Sequence, residues 1–397
     1  MIKRKFQDTT LPLLGMGCMR LPRLPEGGPG DIDIKETERM VRLAMEAGVN
    51  YFDTAYPYHE GRSEVVMGRI LSKYPRESFL LADKYPGHQI VKEYRPREIF
   101  EEQLKKCGVE YFDFYLLHNV FENSLHTYSD PRWGIMDYFL EQKRLGRIRH
   151  LGFSTHGSLE VMRTFLDRYG EHMEFCQIQL NYLDYTLQNA KEKVALLNER
   201  GIPVWVMEPL RGGKLANLSE ENRRILCSDG AKDPVESAFR FFHDIPGVTV
   251  VLSGMSDLSQ LEKNIGYFQR ENPLSQRERE ILFAIAEHLQ NSVPCTGCGY
   301  CLKGCPKGLD IPMMLSIYNE LQVVRSANAS MRMEFLPDQK KPAACIGCGA
   351  CSRICPQKIA IPEVLGKLDG ILREMPSWAS ISRNRELLAK KAREESK

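Results

Sequence analysis

The sequence predicts an α/β protein: a (β/α)8 barrel followed by a small, mainly α-helical domain. Eight short apolar runs alternate with helical stretches through the first two thirds of the chain, the count that an eight-stranded barrel requires. A four-cysteine segment beginning at Cys295 recurs fifty residues later, beginning at Cys345. At 397 residues the chain also exceeds the size at which a single hydrophobic core stops growing, so two domains are expected.

The strands read in order as LLGMG (13–17), VNYFDT (49–54), FLLAD (79–83), FDFYLLH (112–118), IRHLGFS (148–154), CQIQLN (176–181), PVWVME (203–208) and VTVVLS (248–253). Helical stretches such as KETERMVRLAMEAG and QNAKEKVALLNERG lie between them, and several end at glycine, which accepts the left-handed C-cap conformation. A doubly wound sheet is the competing arrangement. Against it, no G-x-G-x-x-G follows an early strand; GMGCMR lacks the third glycine. Asn272-Pro273 then breaks the pattern, and Ser275 with Glu278 forms a capping box that opens a helix leading to Cys295.

Each cysteine segment reads C-x2-C-x2-C-x3-C-P. Cys295, Cys298, Cys301, Cys305 and Pro306 recur as Cys345, Cys348, Cys351, Cys355 and Pro356, and Ile311-Pro312 recurs as Ile361-Pro362. This spacing wraps three thiolates round one iron–sulfur cube and sends the fourth to a second cube. Glycines between the cysteines allow the tight turns that make the sulfurs converge. Structural zinc is the competing reading, but it uses two close pairs of ligands rather than four thiolates in one eleven-residue run. The segments resemble the helical two-cluster ferredoxin domain of electron-transfer subunits. That resemblance implies that Cys295, Cys298, Cys301 and Cys355 hold one [4Fe–4S] cluster, and Cys345, Cys348, Cys351 and Cys305 the other. The domains are assigned as 1–274 for the barrel, 275–375 for the ferredoxin-like domain, and 376–397 for a charged C-terminal tail read as a solvated helix or frayed end.

Composition excludes several function classes. The net charge is +2 with no basic stripe, so no nucleic-acid partner is expected. No apolar leader and no eighteen-residue apolar window occurs, so the protein is expected to be cytoplasmic and unanchored. In that compartment twelve cysteines point to metal rather than disulfides. Cys18, Cys107, Cys176 and Cys227 lie outside the repeat with no ligand spacing, and read as small buried hydrophobes.

Barrel chemistry sits at the C-terminal ends of the strands. Those positions are Asp53, Lys84, His118, Ser154, Gln179, Met207, Glu208 and Ser253. Singly, each is as well explained as a cap or surface charge. Together with Tyr58, just beyond Asp53, they make a proton-transfer site. Asp53 would hold Lys84, whose cation is expected to pull the Tyr58 pKa down from about 10. His118 would orient a carbonyl oxygen and Tyr58 would deliver the proton. Tyr128, Arg132 and Trp133, in the long loop after His118, read as packing residues with substrate contact as the alternative, and Arg20 as a surface residue with the pocket mouth as the alternative.

NYFDTAYPYHEGRSE, LLADKY, FDFYLLH, GRIRHLGFST, QIQLNYLD, PVWVMEPLRGG and VTVVLSGMSDLSQLEKN together resemble the aldo/keto reductase superfamily, over residues 1 to about 270. The resemblance implies a catalytic tetrad of Asp53, Tyr58, Lys84 and His118, and an N-terminal hairpin that plugs the barrel. It also implies NAD(P)(H) contacts: Ser154 and Gln179 on the nicotinamide carboxamide, Pro209, Leu210, Gly212 and Lys214 on the pyrophosphate, and Ser253, Gly254, Ser256, Gln260 and Asn264 on the adenosine side. Three positions depart from the family pattern. Met207 stands where an aromatic ring usually stacks on the nicotinamide, Thr155 where an asparagine follows the serine, and Ser256 where an arginine meets a 2′-phosphate.

A hydride carries two electrons at once, whereas each cluster passes one. The favoured function is therefore an iron–sulfur oxidoreductase that reduces or oxidises a carbonyl-like small molecule, with a flavin or a radical-tolerant substrate as the adapter and a ferredoxin or flavodoxin as the candidate outside donor. A conventional NAD(P)H-dependent carbonyl reductase with structural or oxygen-sensing clusters is the second reading, and a non-enzymatic electron-transfer or binding subunit the third.

Overall fold

The eight apolar runs form the strands expected of them. The structure, a computed structural model, describes residues 1–395 except 29, 90, 229, 231, 232, 291, 292 and 296. Lys3–Phe6 (β1) and Thr9–Pro12 (β2) pair as an antiparallel hairpin. Leu14–Gly17 (β3), Tyr51–Asp53 (β4), Leu80–Tyr85 (β5), Phe112–Leu117 (β6), Ile148–Thr155 (β7), Cys176–Gln179 (β8), Val204–Met207 (β9) and Val248–Ser253 (β10) close a parallel barrel in which β10 pairs with β3. Their side chains are buried almost throughout, because helices cover the outside of the barrel and side chains fill its inside.

The hairpin supplies Phe6 and Leu11 to the barrel interior, where they meet Tyr51, Phe114, Trp205 and Val250. The Trp205 indole N–H donates to the Tyr51 hydroxyl at 3.0 Å, so the polar end of a wholly buried ring is satisfied. Removing the Phe6 ring would cost about 3–5 kcal/mol by the cavity it leaves. The floor is thus solid, and only the C-terminal rim is left for chemistry.

The helix Gln276–Gln290 begins at the expected capping box: Ser275 N donates to Glu278 Oε2 at 2.8 Å and Glu278 N to Ser275 Oγ at 3.2 Å. Sequence assigned this helix to the second domain. It buries Ile281, Leu282 and Ile285 in the barrel's core and packs on both the barrel helix Glu220–Cys227 and Ile311–Val323 of the second domain, so it bridges the two.

The second domain repeats itself in three dimensions. Ile311–Val323 and Ile361–Glu374 are the long helices of its halves, each with proline in the first turn. Their core positions obey the fifty-residue offset: Leu309 with Ile359, Ile311 with Ile361, Met314 with Val364, Leu315 with Leu365. This domain lies against the barrel's C-terminal rim. Gln188 donates to Glu320 at 3.1 Å, Asn328 meets the His156 ring at 3.3 Å, and Phe121 packs on Met331 and Trp378. The segment read as a charged tail is a helix, Trp378–Glu395, whose start buries one face: Trp378 is 3% exposed and Ser382 1%. Among the described residues no helix is long and apolar enough to cross a membrane.

Candidate active site

Three strand ends and the turn after the first of them bring the predicted tetrad together. Lys84 sits inside β5 with no exposed surface, a position a lysine tolerates only when its ammonium is paired and hydrogen-bonded. Its Nζ donates to Asp53 Oδ1 at 2.5 Å and to the Thr54 carbonyl at 2.6 Å, and lies 3.4 Å from the Tyr58 hydroxyl. The Tyr58 ring meets the His118 ring edge to face with centroids 6.0 Å apart. The His118 backbone is fixed on both sides: its N–H donates to the Tyr85 carbonyl at 3.0 Å, and its carbonyl accepts from the Tyr128 hydroxyl at 2.7 Å. Tyr128 is buried and acts as a support, whereas Arg132 is exposed on an ion pair with Asp130.

Burial alone would lower the Lys84 pKa, but attraction to and a hydrogen bond with Asp53 override it and the lysine is held above its ordinary range. Burial pushes the Asp53 carboxyl up and Lys84 pulls it back. The firmly charged lysine keeps the two as an ion pair. For Tyr58 the expectation fails in sign. Burial, the largest influence, outweighs Lys84 and raises the hydroxyl's pKa above 10. The buried site therefore holds Tyr58 as a neutral O–H, the form that donates a proton. The turn Tyr58–Gly61 that carries it is strained, with His59 at φ 49° and Glu60 at φ 59°, each at a cost on the order of 1–3 kcal/mol.

Sequence reasoning missed two residues here. The His88 ring lies 4.4 Å from that of His118, and the Trp378 ring 5.7 Å from His88. Beside His88, Gly87 lets the Tyr128 ring that supports His118 come close, since a Cβ there would stand 2.5 Å from that ring. The position of His88, in the loop after a barrel strand, was a usable signal. Trp378 carried only one: a lone tryptophan at the head of a charged segment.

The residues assigned to the nucleotide line the rim from β7 to β10. Ser154 Oγ accepts the Asn119 N–H at 2.8 Å, and Gln179 donates to Asp184 at 2.8 Å. Thr155 turns its hydroxyl to the Val120 carbonyl, so it braces the loop after β6. Met207 is half-buried at the end of β9, and Pro209 and Leu210 lead into an exposed glycine turn with Gly212 at φ 65° and Lys214 beside it. Arg211, inside that turn, is buried on an ion pair with Asp184. Beyond β10, Asn264 donates to Ser253 at 3.1 Å, and Ser256 N donates to Gln260 Oε1 at 3.0 Å. The Arg20 side chain lies along Gly254, where a Cβ would stand 3.0 Å from its Cδ, and reaches Gly212 with its guanidinium. An exposed glycine turn flanked by two cations fits a pyrophosphate.

In the second domain Cys305, Cys345, Cys348 and Cys351 line one hollow, and Cys295, Cys298, Cys301 and Cys355 line the other. Each set takes three thiols from one half of the repeat and one from the other. Gly297, Gly299, Gly347 and Gly349 stand at φ between 68° and 75°, the left-handed turns that bring the sulfurs round. Apolar side chains such as Leu309 and Ile359 close the inner wall of each hollow. A ring of four thiols on a partly apolar hollow fits an iron–sulfur cube. Cys18, Cys107 and Cys176 are buried in the barrel with thiols pushed up by that burial, and Cys227 is exposed.

A parallel eight-stranded barrel with a buried lysine, carboxylate and tyrosine at its C-terminal rim, joined to a duplicated four-cysteine domain, defines a redox enzyme of two parts. Comparison with known proteins gives each part its family. A model described as "Aldo/keto reductase family" matches residues 13–287, and one described as "4Fe-4S dicluster domain" matches residues 294–360. The chain belongs to the aldo/keto reductase family and is an oxidoreductase that carries a 4Fe-4S dicluster domain.

It is 30% identical over 228 residues to the NADH-specific methylglyoxal reductase of Escherichia coli, a match covering 52% of this chain and 66% of that protein, just under two thirds of its length. It is 26% identical over 267 residues to an aldo-keto reductase of Mycolicibacterium vanbaalenii, covering 66% and 85%. Among solved structures, an aldo-keto reductase of Bacillus halodurans in its holo form matches with a TM-score of 0.59 and 25% identity, over 72% of this chain and 96% of that one.

Proposed function

We propose that the protein reduces, or in the reverse direction oxidises, a small carbonyl compound at Asp53, Tyr58, Lys84 and His118, with electrons passing through two [4Fe–4S] clusters held by the crossed cysteine sets. The observation that carries this reading is the placement of Lys84 Nζ between Asp53 Oδ1 at 2.5 Å and the Tyr58 hydroxyl at 3.4 Å, on the same rim that receives the cysteine-rich domain.

Reduction of a carbonyl adds two electrons and two protons across C=O. Tyr58, kept neutral by burial, gives its proton to the oxygen, and Lys84 steadies the phenolate left behind. His118, at the edge of the Tyr58 ring, orients the oxygen. A bound nicotinamide would supply hydride at carbon, with Ser154, Gln179 and Met207 at its ring end and Pro209, Leu210, Gly212, Lys214, Ser253, Gly254, Ser256, Gln260 and Asn264 along its phosphates and adenosine. A flavin in the same groove is the alternative that would divide electron pairs into single steps for the clusters.

The exposed apolar side chains Tyr300, Leu302, Ile346 and Ile354 all fall within the two cysteine runs, with exposed Lys303, Lys307, Arg353 and Lys358 among them. That surface suits an acidic one-electron carrier such as a ferredoxin or flavodoxin. The second reading, a conventional nicotinamide-dependent reductase with structural clusters, is supported by the name of the E. coli relative. Anaerobic purification, with identification of whatever organic cofactor accompanies the protein, decides between them: flavin supports the first reading, and tightly held NAD(P) with full turnover in cluster-free protein supports the second.

A further inference from the structure

The helix Trp378–Glu395 is the last element of the chain, and it returns from the cysteine-rich domain to the reacting end of the barrel. Its N-terminus is anchored. Glu334, on the helix Ala327–Glu334 of the same domain, accepts hydrogen bonds from the backbone N–H groups of Trp378 and of Ala379, the latter at 3.0 Å. A carboxylate there also complements the positive end of the helix dipole. Trp378 itself packs on Phe121, which follows β6, and on Met331. One step further on, its ring faces His88 at 5.7 Å, and His88 faces His118 at 4.4 Å. The body of the helix lies against the turn Tyr58–Gly61, whose two left-handed residues need outside contacts to stay in place.

We propose that Trp378 is a specificity-determining wall of the substrate pocket, and that the site is complete only when this helix is docked. The inference rests on the carbonyl-reductase reading of the site. A carbonyl oxygen held between Tyr58 and His118 directs the group on its carbonyl carbon toward His88 and Trp378. An indole there, 3% exposed and packed against Phe121 and Met331, has no room to retreat while Glu334 holds the backbone at the helix start, so the pocket admits small carbonyl compounds and rejects those bearing a ring. The apparatus that holds the clusters thereby also sets the size of the substrate.

The test compares methylglyoxal with its phenyl analogue, phenylglyoxal, as substrates of the anaerobically reconstituted full chain with NADH or NADPH. Trp378→Ala should raise kcat/KM for phenylglyoxal relative to methylglyoxal by about tenfold, the range that a changed apolar wall gives. Glu334→Gln, which loosens the anchor and leaves the indole, should move the ratio the same way by a smaller factor, and it serves if the alanine variant folds poorly. A binding measurement separates this proposal from the functional reading. Hydroxyacetone should quench the indole fluorescence of the wild type, and Trp378→Phe should abolish the quench while Trp133 and Trp205 remain. Quenching without reduction of either aldehyde would leave the wall standing and sink the carbonyl reading. Reduction with an unchanged ratio in both variants would overturn the wall and leave that reading intact.

Discussion

Lys84 and Asp53 form an ion pair that water barely reaches: the two side chains are 0% and 3% exposed, and their contact is 2.5 Å. A buried pair is costly to assemble and more costly to break, because the surviving partner is left charged and uncompensated. The same pair presents Nζ to the Tyr58 hydroxyl at 3.4 Å, so under the proposed function one lysine would carry both a structural and a chemical role.

Tyr58→Phe should lower turnover of a carbonyl substrate by about 10²-fold or more with nucleotide affinity nearly unchanged, since general acid catalysis contributes on that order. Lys84→Met should lower it at least as far and also destabilise the fold, leaving Asp53 without its partner. Because burial raises the Tyr58 pKa, the donor stays protonated through neutral pH, and kcat for reduction should hold level there and fall only above the ordinary tyrosine range near 10. A pH profile of the wild type that declines between 6 and 8 from loss of this proton, or full activity in Tyr58→Phe, would remove Tyr58 from the role.

How far this site could be read from sequence depended on what kind of contact held each residue. Asp53, Lys84 and His118 were legible because barrel strands are short apolar runs buried on both faces, and polar residues closing three successive runs, with Tyr58 just beyond the first, are not explained together as caps. The eight cysteines were legible because spacing alone encodes their convergence. Trp378 and His88 were not, because their meeting joins segments some 290 residues apart across a domain interface and leaves no periodicity in either. The sign of the Tyr58 shift was missed for a related reason. Sequence names the neighbouring lysine, but burial, which outweighs it, is a property of the assembled rim.

The cysteine sets predict about eight irons and a matching amount of sulfide per reconstituted chain, one cube for each ring of four thiols. The crossed arrangement makes a sharper test. Cys305 lines the hollow of Cys345, Cys348 and Cys351 although it lies forty residues before them, so Cys305→Ala should perturb the electron paramagnetic resonance signal of that cluster and spare the other. Stoichiometric zinc with negligible iron would exclude the clusters, and loss of the Cys295, Cys298 and Cys301 cluster in the variant would exclude the crossing.

Lys193 gives the domain interface a pH signature. Its side chain, 6% exposed on the helix Ala190–Glu199, makes no hydrogen bond or ion pair with a described residue, and burial together with nearby Arg332 lowers its pKa to about 8. The unfolded chain releases this proton near 10.4. Between about 8 and 10.4 the unfolded state therefore binds more protons than the folded one and stability rises with pH; below 8 the full penalty is present. Lys193→Met should raise the melting temperature at pH 7 by several degrees, equivalent to at most about 3 kcal/mol, and the gain should shrink toward pH 10. Equal shifts at both pH values would show that the charge is not the cause.

The last prediction concerns how pairs of electrons meet single ones. A nicotinamide gives up two electrons together, whereas each cube takes one, so direct exchange between them is slow unless a carrier able to hold one or two electrons stands between. The groove beside Gly212, Lys214 and Arg20 has the backbone turn and the cations to hold the phosphate of such a carrier, and half-buried Met207 presents no aromatic ring that would select nicotinamide. NADH or NADPH alone should then bleach the visible absorbance of the clusters slowly under anaerobic conditions, and catalytic FMN or FAD should speed the bleaching by at least tenfold. Rapid bleaching without flavin would refute the need for an adapter. If no combination reduces the clusters, and Cys298→Ala and Cys348→Ala reduce methylglyoxal at the wild-type rate, then the cubes stand outside turnover and the barrel works as a plain nicotinamide-dependent reductase.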